Sequence, residues 1–169
     1  MLKCVIAALS ESEKGSTSAI SAAFASSDEY KAAYANKTVE EIVDTVYLNL
    51  FGRHAEPGGL EYWGPLLKNG ALTIDSVVTA IARGALTTDM VAYKAKVAAA
   101  TAFTLHLDTP VDIAGYQGAA ANLGAIKFLA SVTSEATLAL AIAPVALAAV
   151  ILAITDPQSV PVPTPTPTP

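Results

Sequence analysis

Gly52 and Pro57 mark a corner between two helices, and this corner constrains the fold more than any other feature of the sequence. Apolar residues recur at helical spacing before Gly52 and again after Pro57. Glycine often ends helices because the left-handed C-cap conformation needs no Cβ, and proline suits a first helical turn, where its missing N–H loses no partner. The stretch from Val46 to Trp63 therefore predicts a helix end, a short polar loop and a new helix start.

The helices on either side of the corner each carry one apolar stripe. The first begins at Thr38, whose hydroxyl group and the Glu41 carboxylate can form a capping box. The stripes consist of Ile42, Val43, Val46, Tyr47 and Leu50 in the first helix, and of Leu60, Trp63, Leu66 and Leu67 in the second. Such stripes are typical of helices packed around a shared core. We predict an all-α fold, a compact multi-helix bundle, in which Pro65 kinks or loosens the second helix.

The corner also holds the densest group of polar and aromatic residues, and these are the candidate site: Arg53, Glu56, Tyr62 and Trp63. They could form a small ligand site from a guanidinium, a carboxylate and two rings. Alternatively, Arg53 caps the carbonyls that end the first helix, Glu56 caps the second helix, and Trp63 anchors the core. We favour the structural interpretation because charged residues at helix ends commonly serve this purpose. His54 has no His, Cys or Asp at metal-ligand spacing.

Residues 47–53, Tyr-Leu-Asn-Leu-Phe-Gly-Arg, followed by Glu-Pro-x-Gly-Leu-x-Tyr-Trp at residues 56–63, resemble the DUF4214 module. The resemblance continues through Phe103 and over the break at Leu107-Asp108-Thr109, so it covers well over half of the chain. It implies a helical repeat of the kind found in bacterial surface-layer proteins, adhesins and RTX-type exported proteins, and it implies no settled biochemical activity. It also implies an extracellular or cell-surface location.

The predicted domain organisation of the chain is one complete and one partial module. Residues 1–45 are predicted to be a partial first module, because placing Phe24 on Ile81 also places Ile20 on Val77. Residues 46–110 are the DUF4214-like module and residues 111–156 a C-terminal helical hairpin. Residues 157–169 alternate proline with threonine or valine over much of their length, which predicts a disordered linker or tail in an extended polyproline II conformation.

The second half of the chain is predicted from periodicity alone. A long helix from Thr87 or Thr88 to about His106 has Lys94 and Lys96 on its outer side. A helix over residues 119–133 buries Leu123, Ile126, Phe128 and Leu129. The uncharged run Leu138–Ile154 is close to the length needed to cross a bilayer, but Pro144 interrupts it and no Lys or Arg follows it. We favour a buried or dimer-packing helix there over a membrane span.

Composition narrows the function classes. The formal net charge is −5 and no basic patch is present, which argues against nucleic-acid binding. Cys4 is the single cysteine, so no intrachain disulfide can form. The first nine residues are too short an apolar run for a secretion signal. No phosphate loop, catalytic serine motif, zinc pair or calcium loop is present, so we expect no cofactor, no metal site and no enzymatic activity.

The leading hypothesis is a non-enzymatic helical module of a bacterial cell-surface or exported protein that mediates attachment or self-association. Its partners would be other surface-protein subunits, a cell-surface glycan or a second copy in a homo-oligomer. The first alternative is a small carbohydrate-binding module that uses Arg53, Glu56, Tyr62 and Trp63. The second is a membrane-anchored protein that spans the bilayer at residues 138–154.

Overall fold

The computed structural model describes residues 34–156, and within this range it contains eight α-helices and no strand. They are α1 (Val39–Phe51), α2 (Pro57–Lys68), α3 (Ile74–Arg83), α4 (Thr87–Leu105), α5 (Pro110–Gly115), α6 (Gly118–Ala130), α7 (Glu135–Ala141) and α8 (Pro144–Thr155). The all-α prediction is confirmed. The predicted helices before residue 34, the repeat that depends on them and the proline-rich tail lie outside the described residues.

Local sequence signals set the ends of α1 and α2. The Thr38 backbone N–H donates to Glu41 Oε2 at 2.7 Å, and the Glu41 N–H donates to Thr38 Oγ1 at 3.2 Å, so the capping box forms. Gly52 ends α1 with φ +74°, and a Cβ at this position would collide with the Thr133 methyl group. Both the conformation and the space therefore require glycine there. Pro57 is the first residue of α2, and that helix continues past Pro65 to Lys68.

The buried side chains form two hydrophobic clusters. The N-terminal cluster lies between α1 and α3 and consists of Val43, Val46, Tyr47, Leu50, Phe51, Val77, Ile81, Ala82 and Ala85. The C-terminal cluster joins α4, α6 and α8 and consists of Ala95, Ala99, Ala100, Phe103, Leu107, Ala125, Phe128, Leu129, Val132, Leu147 and Ile151. Helix α4 belongs to both, because Met90 and Tyr93 pack on the N-terminal cluster whereas Ala95 to Phe103 lie in the other.

Close approaches between small residues hold α8 in place. A Cβ on Gly115 would collide with the Thr155 backbone, and a Cβ on Gly124 would lie 2.7 Å from Ile154 Cγ1. Helices α5 and α6 therefore reach α8 at positions where no larger side chain fits without a shift. This contact explains why α6 turns Ala121 and Ala125 toward the core.

The second half of the chain departs from the expectations of helical periodicity in two ways. Leu123 and Ile126 are exposed, although Phe128 and Leu129 are buried as predicted. Lys96 is not on an outer face: it is only 6% exposed, and its Nζ donates to the Leu129 carbonyl at 2.7 Å. The apolar run 138–154 is interrupted at Pro144, as predicted, because α7 ends at Ala141 and Pro144 starts α8.

Within residues 34–156 no single helix combines the length and the apolar character that crossing a bilayer requires. Helices α7 and α8 meet these criteria only when taken as a pair, and they are bent by 68° relative to each other.

Candidate functional site

Arg53 lies in the loop between α1 and α2 and binds three different groups. Its Nε and Nη2 donate to the two carboxylate oxygens of Asp89 at 2.7 and 2.6 Å, a bidentate pair. Its Nη1 donates to the His54 carbonyl at 3.0 Å and also to the Glu56 carboxylate. Four hydrogen bonds thus use most of the five N–H groups of the guanidinium. The salt bridges raise the pKa of Arg53 still further, chiefly through Asp89.

Asp89 connects this loop to α4. It stands in the first turn of that helix, where a carboxylate also favours the positive end of the helix dipole. The pair therefore ties the α1–α2 corner to the start of a helix that reaches both hydrophobic clusters. Sequence reasoning missed Asp89 because it is 36 positions away from Arg53. The available signal was an acidic residue in the first turn of a helix predicted to begin at Thr87 or Thr88.

Arg53 and Glu56 do not make the helix-capping hydrogen bonds that were predicted for them. Arg53 does not bind the carbonyls that end α1; the Gly52 N–H donates to one of these, the Leu48 carbonyl, at 3.0 Å. Glu56 occupies the N-cap position of α2, but its side chain makes no capping hydrogen bond there. It pairs with Arg53 instead, and this contact is the main reason why the pKa of Glu56 lies below its usual value.

His54 and Asp44 form a second polar contact on the same side of the corner. His54 Nδ1 lies 2.9 and 3.1 Å from the two Asp44 carboxylate oxygens, and the Ala55 N–H donates to Asp44 Oδ1 at 2.9 Å. These two contacts, His54 first, lower the pKa of the Asp44 carboxyl. Asp44 therefore fixes the loop that follows Gly52, a role that sequence reasoning did not assign to it.

An aromatic layer supports the polar one. The Arg53 guanidinium carbon lies 5.1 Å from the centre of the Tyr47 ring, which allows a cation–π contact. The Tyr47 hydroxyl group accepts a hydrogen bond from Trp63 Nε1 at 3.2 Å. A Cβ on Gly59 would lie 2.8 Å from the same hydroxyl oxygen, so glycine is needed where α2 crosses Tyr47. Trp63 is half-buried against the N-terminal cluster, in agreement with the prediction of a core anchor.

Tyr62 differs from its three predicted site partners. Its ring is 63% exposed and meets Trp63 edge-on, with 4.7 Å between the ring centres. Arg53, Glu56 and Trp63 all have partners inside the protein, as described above. The structure therefore brings Arg53 and Glu56 together, places Trp63 beneath the same corner through Tyr47, and turns Tyr62 outward.

An open groove of about 510 Å³ runs along α2 on the side facing the start of α1. Its lining consists of Glu40, Leu60, Glu61, Gly64, Pro65, Lys68 and Asn69. None of the four predicted site residues lines it. The described part of the chain contains no group of three or more His, Cys, Asp or Glu side chains that could hold a metal ion.

These contacts define a helical module whose corner is held by an arginine–carboxylate network over an aromatic layer. Residues 21–85 match the model of the family described as "Domain of unknown function (DUF4214)", so the chain is a DUF4214 domain-containing protein. The resemblance seen in the corner motif is thereby confirmed. The matched range contains α1 to α3 and ends before Asp89, although that residue is the bidentate partner of Arg53. No curated protein and no solved structure matches the chain.

Proposed function

We propose that this protein is a non-enzymatic helical module of a bacterial cell-surface or exported protein and that it acts through attachment or self-association. One observation carries the proposal: the polar groups of the corner motif bind one another. Arg53 faces Asp89, Glu56 and the His54 carbonyl, and a ligand with a negative charge would have to displace them. Such an arrangement supports a scaffold rather than a reaction centre.

The motif residues each have a structural task. Gly52 ends α1 against Thr133, Pro57 opens α2, Gly59 makes room for Tyr47, and Trp63 bonds to Tyr47. A module built in this way leaves contacts with other molecules to its outer surface. That surface carries large apolar side chains on several helices, among them Leu86, Leu105, Val111 and Val145, all more than two-thirds exposed. These exposed apolar side chains are available for contact with other macromolecules.

The location is tested on the native protein in its own cells. Antibodies against residues 34–156 should label intact cells, and mild protease treatment of intact cells should remove the protein. A cytosolic protein that resists protease until lysis serves as the control. Recovery of this protein only from the protected cytosolic fraction would contradict the proposal.

The carbohydrate-binding alternative is favoured by one observation, the exposed Tyr62 ring. A flat ring held edge-on by Trp63 can stack on a sugar face, and Glu61, beside it in the chain, lines the open groove. A glycan array probed with the wild-type protein and with Tyr62→Ala tests this. Binding that Tyr62→Ala abolishes and that Leu86→Ala, at another exposed apolar residue, leaves intact would establish the alternative, and a silent array would remove it.

A further inference from the structure

Helix α8 carries two apolar stripes on opposite sides. The inner stripe faces the C-terminal cluster and consists of Leu147, Val150, Ile151 and Ile154, of which Leu147 and Ile151 are fully buried. Gly124 of α6 packs directly on Ile154 at the end of this stripe. The inner stripe therefore accounts for the position of α8 in the fold.

The outer stripe has no such role. It consists of Val145, Ala148, Ala149 and Leu152, which follow the spacing i, i+3, i+4, i+7 of a helix-packing face. Val145 is 85% exposed and Leu152 45%, and both alanines are exposed as well. A helix that is apolar all round normally lies in a core, in a membrane or at an interface. Within residues 34–156 nothing covers this side of α8.

Charge indicates what covers it. Residues 136–155 contain no charged side chain, while the whole protein has a formal net charge of −5. Two copies of an acidic protein repel each other wherever carboxylates meet, and an uncharged face avoids this cost. A bilayer is a poorer match, because α8 is only about 18 Å long against a hydrocarbon core of about 30 Å. The charges at the ends of the uncharged run, Glu135 and Asp156, are both acidic rather than the Lys or Arg that anchor membrane helices.

We propose that the outer stripe of α8 binds the same stripe of a second copy of this chain, antiparallel across a twofold axis. The stripe is symmetric about the point between Ala148 and Ala149. Val145 then meets Leu152 of the partner subunit, and Ala148 meets Ala149 of the partner subunit. Two central alanines allow the helix axes to approach closely, while the larger side chains at each end fill the space that the crossing opens.

This inference rests on the self-association part of the proposed function and names its surface and partner. One helix face is smaller than the roughly 800 Å² per partner of a standard interface, so we expect a reversible dimer with a dissociation constant in the micromolar range or above. Sedimentation velocity of the full chain over a micromolar concentration series should show the monomer giving way to a dimer.

Ala149→Glu should shift the dimerisation midpoint at least tenfold, because each new carboxylate would be buried without a partner against Ala148 of the partner subunit. Ala98→Glu is the matched control: Ala98 is also an exposed alanine in a helix interior, on α4, and this substitution should leave the midpoint unchanged. Circular dichroism of both variants checks that they fold alike. A full chain that stays monomeric throughout, or a dimer that tolerates Ala149→Glu, would overturn the inference.

Cross-linking tests the geometry. In a Cys4→Ser background, an equal mixture of Ala148→Cys and Ala149→Cys chains should form a reducible disulfide dimer under mild oxidation, whereas Ala98→Cys should not. Flotation with phosphatidylcholine vesicles tests the competing occupant, and wild-type protein that rises with the vesicles would overturn the inference in favour of a lipid surface. Surface labelling of cells that carry the wild-type protein, with its oligomeric state measured after extraction, separates the two failures. Protein found at the surface as a monomer contradicts only the dimer, and a dimer confined to the cytosol contradicts only the proposed location.

Discussion

The two hydrophobic clusters are closed in different ways. At the rim of the N-terminal cluster, Arg53, Asp89, Glu56, His54 and Asp44 bind one another above large aromatic side chains. The C-terminal cluster is closed by glycines and alanines that let helices touch, and beside it Lys96, the one buried charged residue in the described range, donates to the Leu129 carbonyl. Directional polar bonds specify the first region, whereas shape specifies the second. The four predictions below test this difference.

The largest effects should come from removing volume in either core. Ile81→Ala in the N-terminal cluster and Leu147→Ala in the C-terminal cluster should each lower the free energy of unfolding by about 2–5 kcal/mol. Because α4 is shared, both variants should unfold in one transition. Urea denaturation followed by Trp63 fluorescence and by far-UV circular dichroism measures this. Two separate transitions in Leu147→Ala would show that the clusters unfold independently.

Breaking the corner should have the next largest effect. Arg53→Ala leaves the partly buried Asp89 carboxylate without its bidentate partner, and we expect a loss of about 1–3 kcal/mol in the free energy of unfolding. Arg53→Lys should recover little of it, because an ammonium group cannot reproduce the two parallel bonds. A double-mutant cycle with Asp89→Ala measures the coupling between the two. Additive single losses would mean that the pair does not act as a unit.

Lys96 should make the stability of the protein increase with pH in the alkaline range. Burial lowers the pKa of its amine below the usual 10.5, so the unfolded chain binds this proton more tightly than the folded protein does. Between the lowered pKa and about 10.5, the contribution of Lys96 to the free energy of unfolding therefore rises with pH, by about 1.4 kcal/mol per unit of difference between the folded and unfolded pKa. The stability of the wild type relative to Lys96→Met should therefore increase through that range. Urea denaturation at several alkaline pH values checks the sign, and a flat difference would contradict it.

The smallest effect should come from the outermost contact of the corner. Asp44 has a lowered pKa because of His54 and the Ala55 N–H, so its contribution is complete above its usual pKa of about 4 and is lost as the pH falls through the lowered value. Asp44→Asn should cost less than about 1 kcal/mol at neutral pH, since the contact between Asp44 and His54 is largely exposed. Thermal unfolding at pH 7 and at acid pH measures both expectations. Asp108→Asn, another exposed aspartate, is the control.

Local structure could be predicted from the sequence, and long-range partners could not. The Thr38 capping box, the Gly52 C-cap and Pro57 at the first position of α2 depend on residues within one turn of each other, so spacing reveals them. The bonds from Arg53 to Asp89 and from Lys96 to the Leu129 carbonyl join residues 36 and 33 positions apart. No periodic pattern encodes such pairs, and they are what ties the helices together.

The exposure of Leu123 and Ile126 has a separate physical cause. A hydrophobic stripe predicts orientation correctly when large side chains gain the most from burial. In α6 the close contact of Gly124 with Ile154 fixes the rotation of the helix, so Ala121 and Ala125 share the buried face with Phe128 and Leu129 while Leu123 and Ile126 turn outward. In an alanine-rich bundle the tightest approach decides the rotation of a helix, and size-weighted periodicity does not represent this.

Because α4 contributes side chains to both clusters, the described part of the protein has no boundary at which it can be divided into two independent folding units. A fragment cut after residue 85, where the matched family segment ends, would lack Asp89, Met90 and Tyr93. Arg53 would lose its bidentate partner, and the N-terminal cluster would lose the part of α4 that packs on it. The smallest piece that can be expected to fold therefore extends beyond the segment that defines the family. Anyone who expresses, transplants or fuses this module should set its end after Thr155 and not at residue 85, because α4 also needs the C-terminal cluster to cover it.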